Sequence, residues 1–124
     1  MTKIFSEVRR LPEFERDYKK LKKKFRTLDE DFDTFVETQL KLFHKLGVDN
    51  GGCVRISDIG IERPQIYKVL KFACKALKGR GSKSGIRITY TYYPDEDVIE
   101  FIEIYFKGDK SREGRDRILR IYGQ

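Results

Sequence analysis

The sequence predicts an α+β fold in which an N-terminal strand and an antiparallel helix pair precede a mainly antiparallel sheet of three to four strands and a short C-terminal helix. Residues 12–46 carry apolar side chains at helical spacing, which predicts the helix pair. Two later runs rich in β-branched and aromatic residues, 86–93 and 98–106, are separated by Pro94-Asp95-Glu96-Asp97, which predicts a β-hairpin. The chain has 124 residues with nine phenylalanines and seven tyrosines, so we predict a single domain spanning residues 1–124.

The first elements are a short strand and a helix. Residues 3–10 are predicted as the strand, with Ile4 and Val8 facing inward. Pro12 suits the first turn of the helix that follows. The apolar positions of this helix are spaced by four, three, four and three residues, which places them on one face: Phe14, Tyr18, Leu21, Phe25 and Leu28.

A second helix is predicted to begin after the first because Thr27-Leu28-Asp29-Glu30 has the form of a capping box. Its apolar positions are Phe32, Phe35, Val36, Leu40, Phe43 and Leu46. Gly47 is expected to end it, and the two helices then form an antiparallel hairpin.

The sheet is predicted from residue 66 onwards. Residues 66–72 are expected to form a strand, with residues 73–77 as a candidate extension, and residues 54–61 fit either a short extended piece or a turn. Alternation along residues 86–93 places Ile86, Ile88, Tyr90 and Tyr92 on one face, expected to receive the helices. Arg87 and Thr89 are then expected on the open face, residues 98–106 in a central strand, and residues 112–122 in the last helix.

Positive charge is concentrated in one part of the chain. The net charge is +7, which favours acidic partners such as nucleic acid. Residues 63–93 contain no acidic residue, and their basic residues are Arg63, Lys68, Lys71, Lys75, Lys78, Arg80, Lys83 and Arg87. Lysine and arginine on a sheet can bind a phosphodiester backbone, and tyrosines can stack on unpaired bases.

Several classes of function lack the residues they need. The single histidine, His44, gives little support to Ser/His/Asp or Cys/His catalysis. Cys53 and Cys74 are not at metal-ligand spacing, and residues 78–85 do not fit the phosphate-loop pattern, so we expect no metal and no small-molecule cofactor. No apolar run reaches about 18 residues and no signal peptide is visible, so a cytoplasmic protein without a membrane partner is expected.

RNA cleavage without a metal needs only a base, an acid and cations, because the 2′-hydroxyl of the substrate is the nucleophile. Arg87 is the predicted cation for the scissile phosphate. Lys68, Lys71, Lys107 and Lys110 are alternatives for binding the RNA or transferring protons, and of these Lys71 and Lys107 complete the predicted catalytic set. The predicted RNA-binding residues are Lys68, Lys75, Lys78, Arg80, Lys83, Lys110 and Arg112.

Residues 85–90, read as Gly-Ile-Arg-Ile-Thr-Tyr, a turn, and Ile-Glu-Ile-Tyr-Phe-Lys at 102–107 together resemble the RelE/ParE family of toxins from toxin–antitoxin modules. Residues 67–72, 75–85 and 18–21 fit the same pattern. The resemblance implies a RelE/ParE-like α+β fold and a cognate antitoxin, acidic and helical, that silences the toxin. Ribonuclease members cut mRNA on the ribosome without metal, and Arg87 matches the arginine of their G-x-R strand. Lys68 and Lys71 match their preceding basic strand, and Lys107 and Lys110 match the turn after the last strand.

Two alternatives stay open beside a metal-independent endoribonuclease. Some family members act on DNA gyrase, so the chain is alternatively a non-catalytic toxin or binding protein directed at gyrase or another protein. A third reading is an inactive relative that only binds nucleic acid. Ribonuclease members commonly carry a tyrosine or histidine shortly after the last strand, whereas here no aromatic residue follows Lys107 before Tyr122.

Overall fold

A computed structural model describes residues 4–49, 51–61, 63–77, 83–110 and 112–123. Within these residues the chain forms an α+β structure, as predicted. Its elements in chain order are β1 (Glu7–Arg10), α1 (Pro12–Lys24), α2 (Leu28–Phe35), a π-helix (Val36–Lys45), β2 (Cys53–Arg55), β3 (Ile66–Val69), β4 (Ile86–Tyr93), β5 (Val98–Phe106) and α3 (Arg115–Tyr122).

The five strands form one open sheet in the order β1-β5-β4-β3-β2. The pairings of β2 with β3, β3 with β4 and β4 with β5 are antiparallel, which confirms the hairpin predicted over residues 86–106. The sheet nevertheless differs from the prediction, because it has five strands and is mixed. β1 pairs with β5 in parallel, which the long intervening chain through the helices permits.

The main core lies between the helices and one face of the sheet. The apolar stripe predicted for the first helix is confirmed, since none of its five residues is more than 7% exposed. Phe14 and Phe32 lie against Phe101 of β5. The ring centroid of Phe101 is 5.4 Å from that of Phe14 and 4.8 Å from that of Phe32. Such aromatic pairs contribute about 0.5–1.5 kcal/mol each beyond the burial of their area.

The two ends of this helical region differ from the prediction in detail. β1 begins at Glu7 rather than residue 3, and Val8 is 42% exposed, so its predicted inward orientation is wrong. Phe5, just before the strand, is buried instead. Leu46 is also exposed because the π-helix ends at Lys45, and Gly47 follows with a φ of +67°, in the left-handed conformation expected at a helix end.

The break between α1 and α2 lies where it was predicted, but the capping box is wrong. The Thr27 side chain makes no capping hydrogen bond at the start of α2. Its hydroxyl donates to the Asp31 carboxylate at 2.6 Å and accepts from the Ala76 N–H at 2.9 Å. Thr27 therefore ties the helix pair to the loop after β3.

The chain around β3 is more strongly bent than predicted. β3 ends at Val69 rather than residue 72, and residues 73–77 form a turn instead of an extension. The N–H groups of Leu70 and Lys71 both point to the Gly52 carbonyl, at 2.7 and 3.4 Å, which ends the regular ladder. Of residues 54–61, only the first two belong to a strand, β2, and the remainder is a loop.

The second face of the sheet is covered, contrary to the prediction of an open face. The loop after β2 and helix α3 place a second apolar cluster against it: Ile56, Ile59, Ile61, Ile66, Ile102 and Ile118. A bulge opposite Thr89 and Tyr90 leaves Ile102 unpaired in the register, and Ile102 joins this second cluster. Thr89 is consequently fully buried, whereas Arg87, nearer the end of the strand, is half-buried.

Within the part of the chain that the structure describes, no helix has the length and apolar character needed to cross a membrane.

Candidate nucleic-acid interface

A cleft of about 760 Å³ lies where β4 begins and β5 ends. It is lined by Gly51, Leu70, Lys71, Lys83, Gly85, Arg87, Phe106, Lys107 and Gly108. Four of these residues are cationic, and none of the described lining residues is acidic. We refer to Lys71, Lys83, Arg87 and Lys107 with this space as the cationic cleft.

Two glycines allow the backbone to shape the cationic cleft. Gly85 has a φ of +85°, which other residues rarely adopt, and its carbonyl accepts the Lys107 N–H at 2.8 Å. This bond holds the start of β4 beside the end of β5. At Gly108 a β-carbon would lie only 2.6 Å from the Phe106 ring, so the close turn over that ring requires glycine. Phe106 thus forms an apolar part of the wall of the cationic cleft.

The Arg87 guanidinium is held in place at the cleft by a hydrogen bond to the backbone. The guanidinium donates this hydrogen bond, from Nη1, to the Leu70 carbonyl. Among the described residues no carboxylate forms an ion pair with it. A guanidinium has five N–H donors, so Arg87 retains donors for a phosphate while one bond fixes its position.

The structure brings together part of the predicted set. All three predicted catalytic residues, Arg87, Lys71 and Lys107, line the cationic cleft, together with the predicted RNA-binding residue Lys83. Exposed Arg112 lies outside the cleft lining, as does Lys75, which pairs with Glu30. The predicted residues Lys78 and Arg80 lie outside the described residues.

Lys68 and Lys110 are engaged by carboxylates. Lys68 donates to Glu113 at 3.1 Å, and Lys110 donates to Glu103, whose other oxygen accepts the Gly114 N–H at 2.7 Å. Both carboxylates are buried, at 7% and 2% exposure. These pairs hold the segment before α3 onto the sheet.

Sequence reasoning missed both of these acidic residues. The available signal was Glu103, a charged residue inside the apolar run 98–106, because a carboxylate in a buried strand requires a cationic partner. Burial raises the pKa of Glu113, but hydrogen bonding and the Lys68 ammonium outweigh burial and hold that pKa below its usual range. The carboxylate therefore stays ionised and neutralises Lys68.

The proton-transfer chemistry near the cleft is limited. Tyr105 is the strand partner of Arg87, and its pKa is raised to about 12, chiefly by burial and also by the nearby Glu113 and Glu103. The phenol is therefore neutral at physiological pH. None of the described lining residues is a histidine, aspartate or glutamate, so what the cleft offers most clearly is fixed positive charge.

The described residues contain no group of three or more His, Cys, Asp or Glu side chains that could hold a metal ion. No protein-family model, curated protein sequence or solved structure matches this chain. The observations that bear on function are therefore the chemistry of the cationic cleft and the sequence pattern of residues 85–90 and 102–107.

Proposed function

We propose that the chain is the toxin of a RelE/ParE-like toxin–antitoxin module and acts as a metal-independent endoribonuclease on mRNA at the ribosome. The observation that carries this proposal is the cationic cleft, where four cations surround one space without an acidic lining residue. Each phosphate of RNA carries one negative charge, and lysine and arginine gain affinity by replacing its counterions. A groove with this charge and an apolar wall suits a single strand.

In the proposed reaction the 2′-hydroxyl oxygen forms a bond to the adjacent phosphorus while the bond from phosphorus to the 5′-oxygen breaks. The products are a 2′,3′-cyclic phosphate and a 5′-hydroxyl. Arg87 stabilises the negative charge that develops on the phosphoryl oxygens, and its bond to the Leu70 carbonyl orients it beforehand. In the proposed reaction one of Lys71 and Lys107, as the neutral amine, takes the proton of the 2′-hydroxyl, and the other, as the ammonium, gives a proton to the departing 5′-oxygen. Lys83 holds a flanking phosphate.

The test is induced expression in a bacterial host, with growth and mRNA 5′-ends followed together. Arg87→Ala is expected to abolish both arrest and cleavage, because loss of one such charge-stabilising donor lowers a rate by about 10²–10³-fold. The matched control is Arg120→Ala, which removes an exposed arginine of α3 that pairs with Glu13 outside the cleft. Melting temperatures check that both variants fold. An Arg87→Ala protein as toxic as the wild type contradicts the proposed role.

A second candidate is a toxin that acts on DNA gyrase or another protein without cleaving RNA. The absence of histidine, aspartate and glutamate from the described cleft lining favours it, because lysine is in general a less efficient base near neutral pH than histidine or a carboxylate. This candidate predicts growth arrest with intact mRNA and altered plasmid supercoiling.

The proposed partner of the toxin is an acidic, helical antitoxin. A net charge of +7 and the cationic cleft would attract such a segment over a distance. A small neighbouring reading frame that encodes an acidic protein, and that restores growth when it is co-expressed, would support this partner. Failure of every adjacent reading frame to restore growth would count against it.

A further inference from the structure

A second pocket, of about 610 Å³, lies at the opposite end of β4 from the cationic cleft. Arg87 and Tyr93 are six residues apart in this strand, a separation of about 20 Å at roughly 3.3 Å per residue. Four of the residues that line the pocket carry a ring: His44, Tyr67, Tyr92 and Tyr93. Because side chains alternate along β4, the Tyr93 side chain points to the opposite face of the sheet from that of Tyr92. We call this space the aromatic pocket. Nothing in the proposed RNA cleavage uses it.

The wall of the aromatic pocket is built rigidly. The ring of His44 lies 5.0 Å from Tyr67 at an interplanar angle of 82°, and 4.5 Å from Tyr92. Its Nε2 atom is 2.7 Å from the hydroxyl of Tyr90, which is fully buried. The rings of His44, Tyr67 and Tyr92 are therefore held in place before any ligand arrives.

The π-helix explains how His44 reaches this position. Its widened turn, with the Leu46 N–H bonded to the Lys41 carbonyl five residues earlier, places the consecutive residues Phe43 and His44 both against Tyr67. π-Helical turns are rare and are frequent at functional sites. The π-helical turn therefore positions His44 in the lining of the aromatic pocket.

The polar groups of the aromatic pocket are balanced in charge. Arg63 and Asp95 contribute opposite charges, and Gln65 accepts the Tyr67 hydroxyl at 2.7 Å through Oε1, which leaves its NH₂ group able to donate. Burial, together with the neighbouring Lys45, lowers the pKa of His44 to about 4, so the imidazole is uncharged at neutral pH. The pocket therefore presents donors and acceptors beside apolar rings.

This combination selects a flat, neutral ligand over a cation. Aromatic rings alone would also suit a cation, but the lining holds one positive side chain, Arg63, beside one negative side chain, Asp95, and the nearby Lys45 is paired with Asp97. These opposite charges offset one another, so the pocket has no excess negative charge to attract a cation. A heterocycle with mixed donors and acceptors stacks on tyrosine and meets the three polar side chains.

We propose that the aromatic pocket binds a nucleobase, stacked against the rings of Tyr67 and Tyr92, which share one face of the sheet, with its edge hydrogen-bonded by Arg63, Gln65 and Asp95. The base belongs either to a single-stranded RNA or to a free nucleotide. This proposal goes beyond the proposed function and does not depend on it, because base binding requires no cleavage.

The experiment measures quenching of 2-aminopurine fluorescence. One probe is 2-aminopurine ribonucleoside 5′-monophosphate, and the other is a short 2′-O-methyl oligonucleotide that contains one 2-aminopurine and resists cleavage. Tyr92→Leu removes a half-buried ring of the pocket lining, and Tyr92→Phe keeps the ring. Tyr67→Leu is the second variant, and melting temperatures check folding.

The wild type is expected to quench the probe, and Tyr92→Leu to weaken binding about tenfold or more, the effect of losing one base–aromatic stack. Tyr92→Phe and Arg120→Ala are expected to bind like the wild type. Binding of the monophosphate indicates a free nucleotide, and binding of the oligonucleotide alone indicates a base within a strand; both support the base site. Absence of quenching with both probes, or wild-type affinity in both leucine variants, overturns it.

Discussion

Lowering the pH from about 7 to about 5 is expected to destabilise the folded protein through His44, the single histidine of the chain. In the folded protein burial, with a smaller contribution from Lys45, lowers the pKa of this side chain from 6.5 to about 4. The unfolded chain therefore takes up a proton in this window that the folded chain does not. The stabilisation is complete above pH 6.5 and is lost as the pH falls towards 4.

The size of the effect follows from the two pKa values, 6.5 and about 4. Their difference corresponds to at most about 3 kcal/mol in the free energy of unfolding. Because His44 is only partly buried, solvent screening reduces this figure, and we expect a loss of about 1–2 kcal/mol in the free energy of unfolding between pH 7 and pH 5.

Neighbouring carboxylates act in a different pH range. Asp97 accepts from Lys45 and Tyr92, and its pKa is lowered from 3.8, mainly by the Lys45 hydrogen bond. Its stabilisation is present above 3.8 and is lost only as the pH falls further. The window between pH 7 and 5 therefore isolates the imidazole.

Two measurements check this prediction. NMR titration follows the imidazole signals of one histidine, with an expected midpoint near pH 4. Urea unfolding at several pH values compares the wild type with His44→Gln, whose amide can still hydrogen-bond the Tyr90 hydroxyl but does not titrate. The reasoning is refuted by an imidazole midpoint near 6.5, or by an equal loss of stability in His44→Gln between pH 7 and pH 5.

Three further predictions concern stability and are checked by urea unfolding. Thr89→Val is expected to raise the free energy of unfolding by about 1 kcal/mol, because its buried hydroxyl has no hydrogen-bond partner among the described residues. Thr91→Val is expected to lower it by about 1 kcal/mol, since that hydroxyl donates to a carbonyl at 2.7 Å; effects of the same sign would contradict this pair. Glu103→Gln is expected to cost about 1–3 kcal/mol, because it removes the charge of a buried carboxylate that accepts from the half-exposed Lys110 ammonium, and a loss below about 1 kcal/mol would show that the pair contributes little. Phe101→Ala is expected to cost about 3–5 kcal/mol by opening a cavity in the main core, whereas Leu119→Ala on the exposed face of α3 is expected to change little; similar losses in both would contradict the packing argument.

Local periodicity was sufficient to predict the elements that carry the fold. The spacing of Phe14, Tyr18 and Leu21 identified the buried face of α1, and the Pro94-Asp95 turn between two apolar runs identified the β4–β5 hairpin with both strand ranges correct. These features depend on backbone geometry within one element or one turn. The run of basic residues also identified three members of the cationic cleft, because neighbouring strands bring such residues to one end of a sheet.

The tertiary structure decided which basic residues remain outside ion pairs and which face of the sheet is covered. Lys68 and its partner Glu113 are 45 residues apart, and the apolar cluster on the second face of the sheet draws residues from α3 and from the loop after β2. In the same way His44, which lines the aromatic pocket, is held by Tyr90, 46 residues away in the chain. Periodicity describes how a side chain points from its own backbone, whereas pairing and burial depend on which distant segment packs against it.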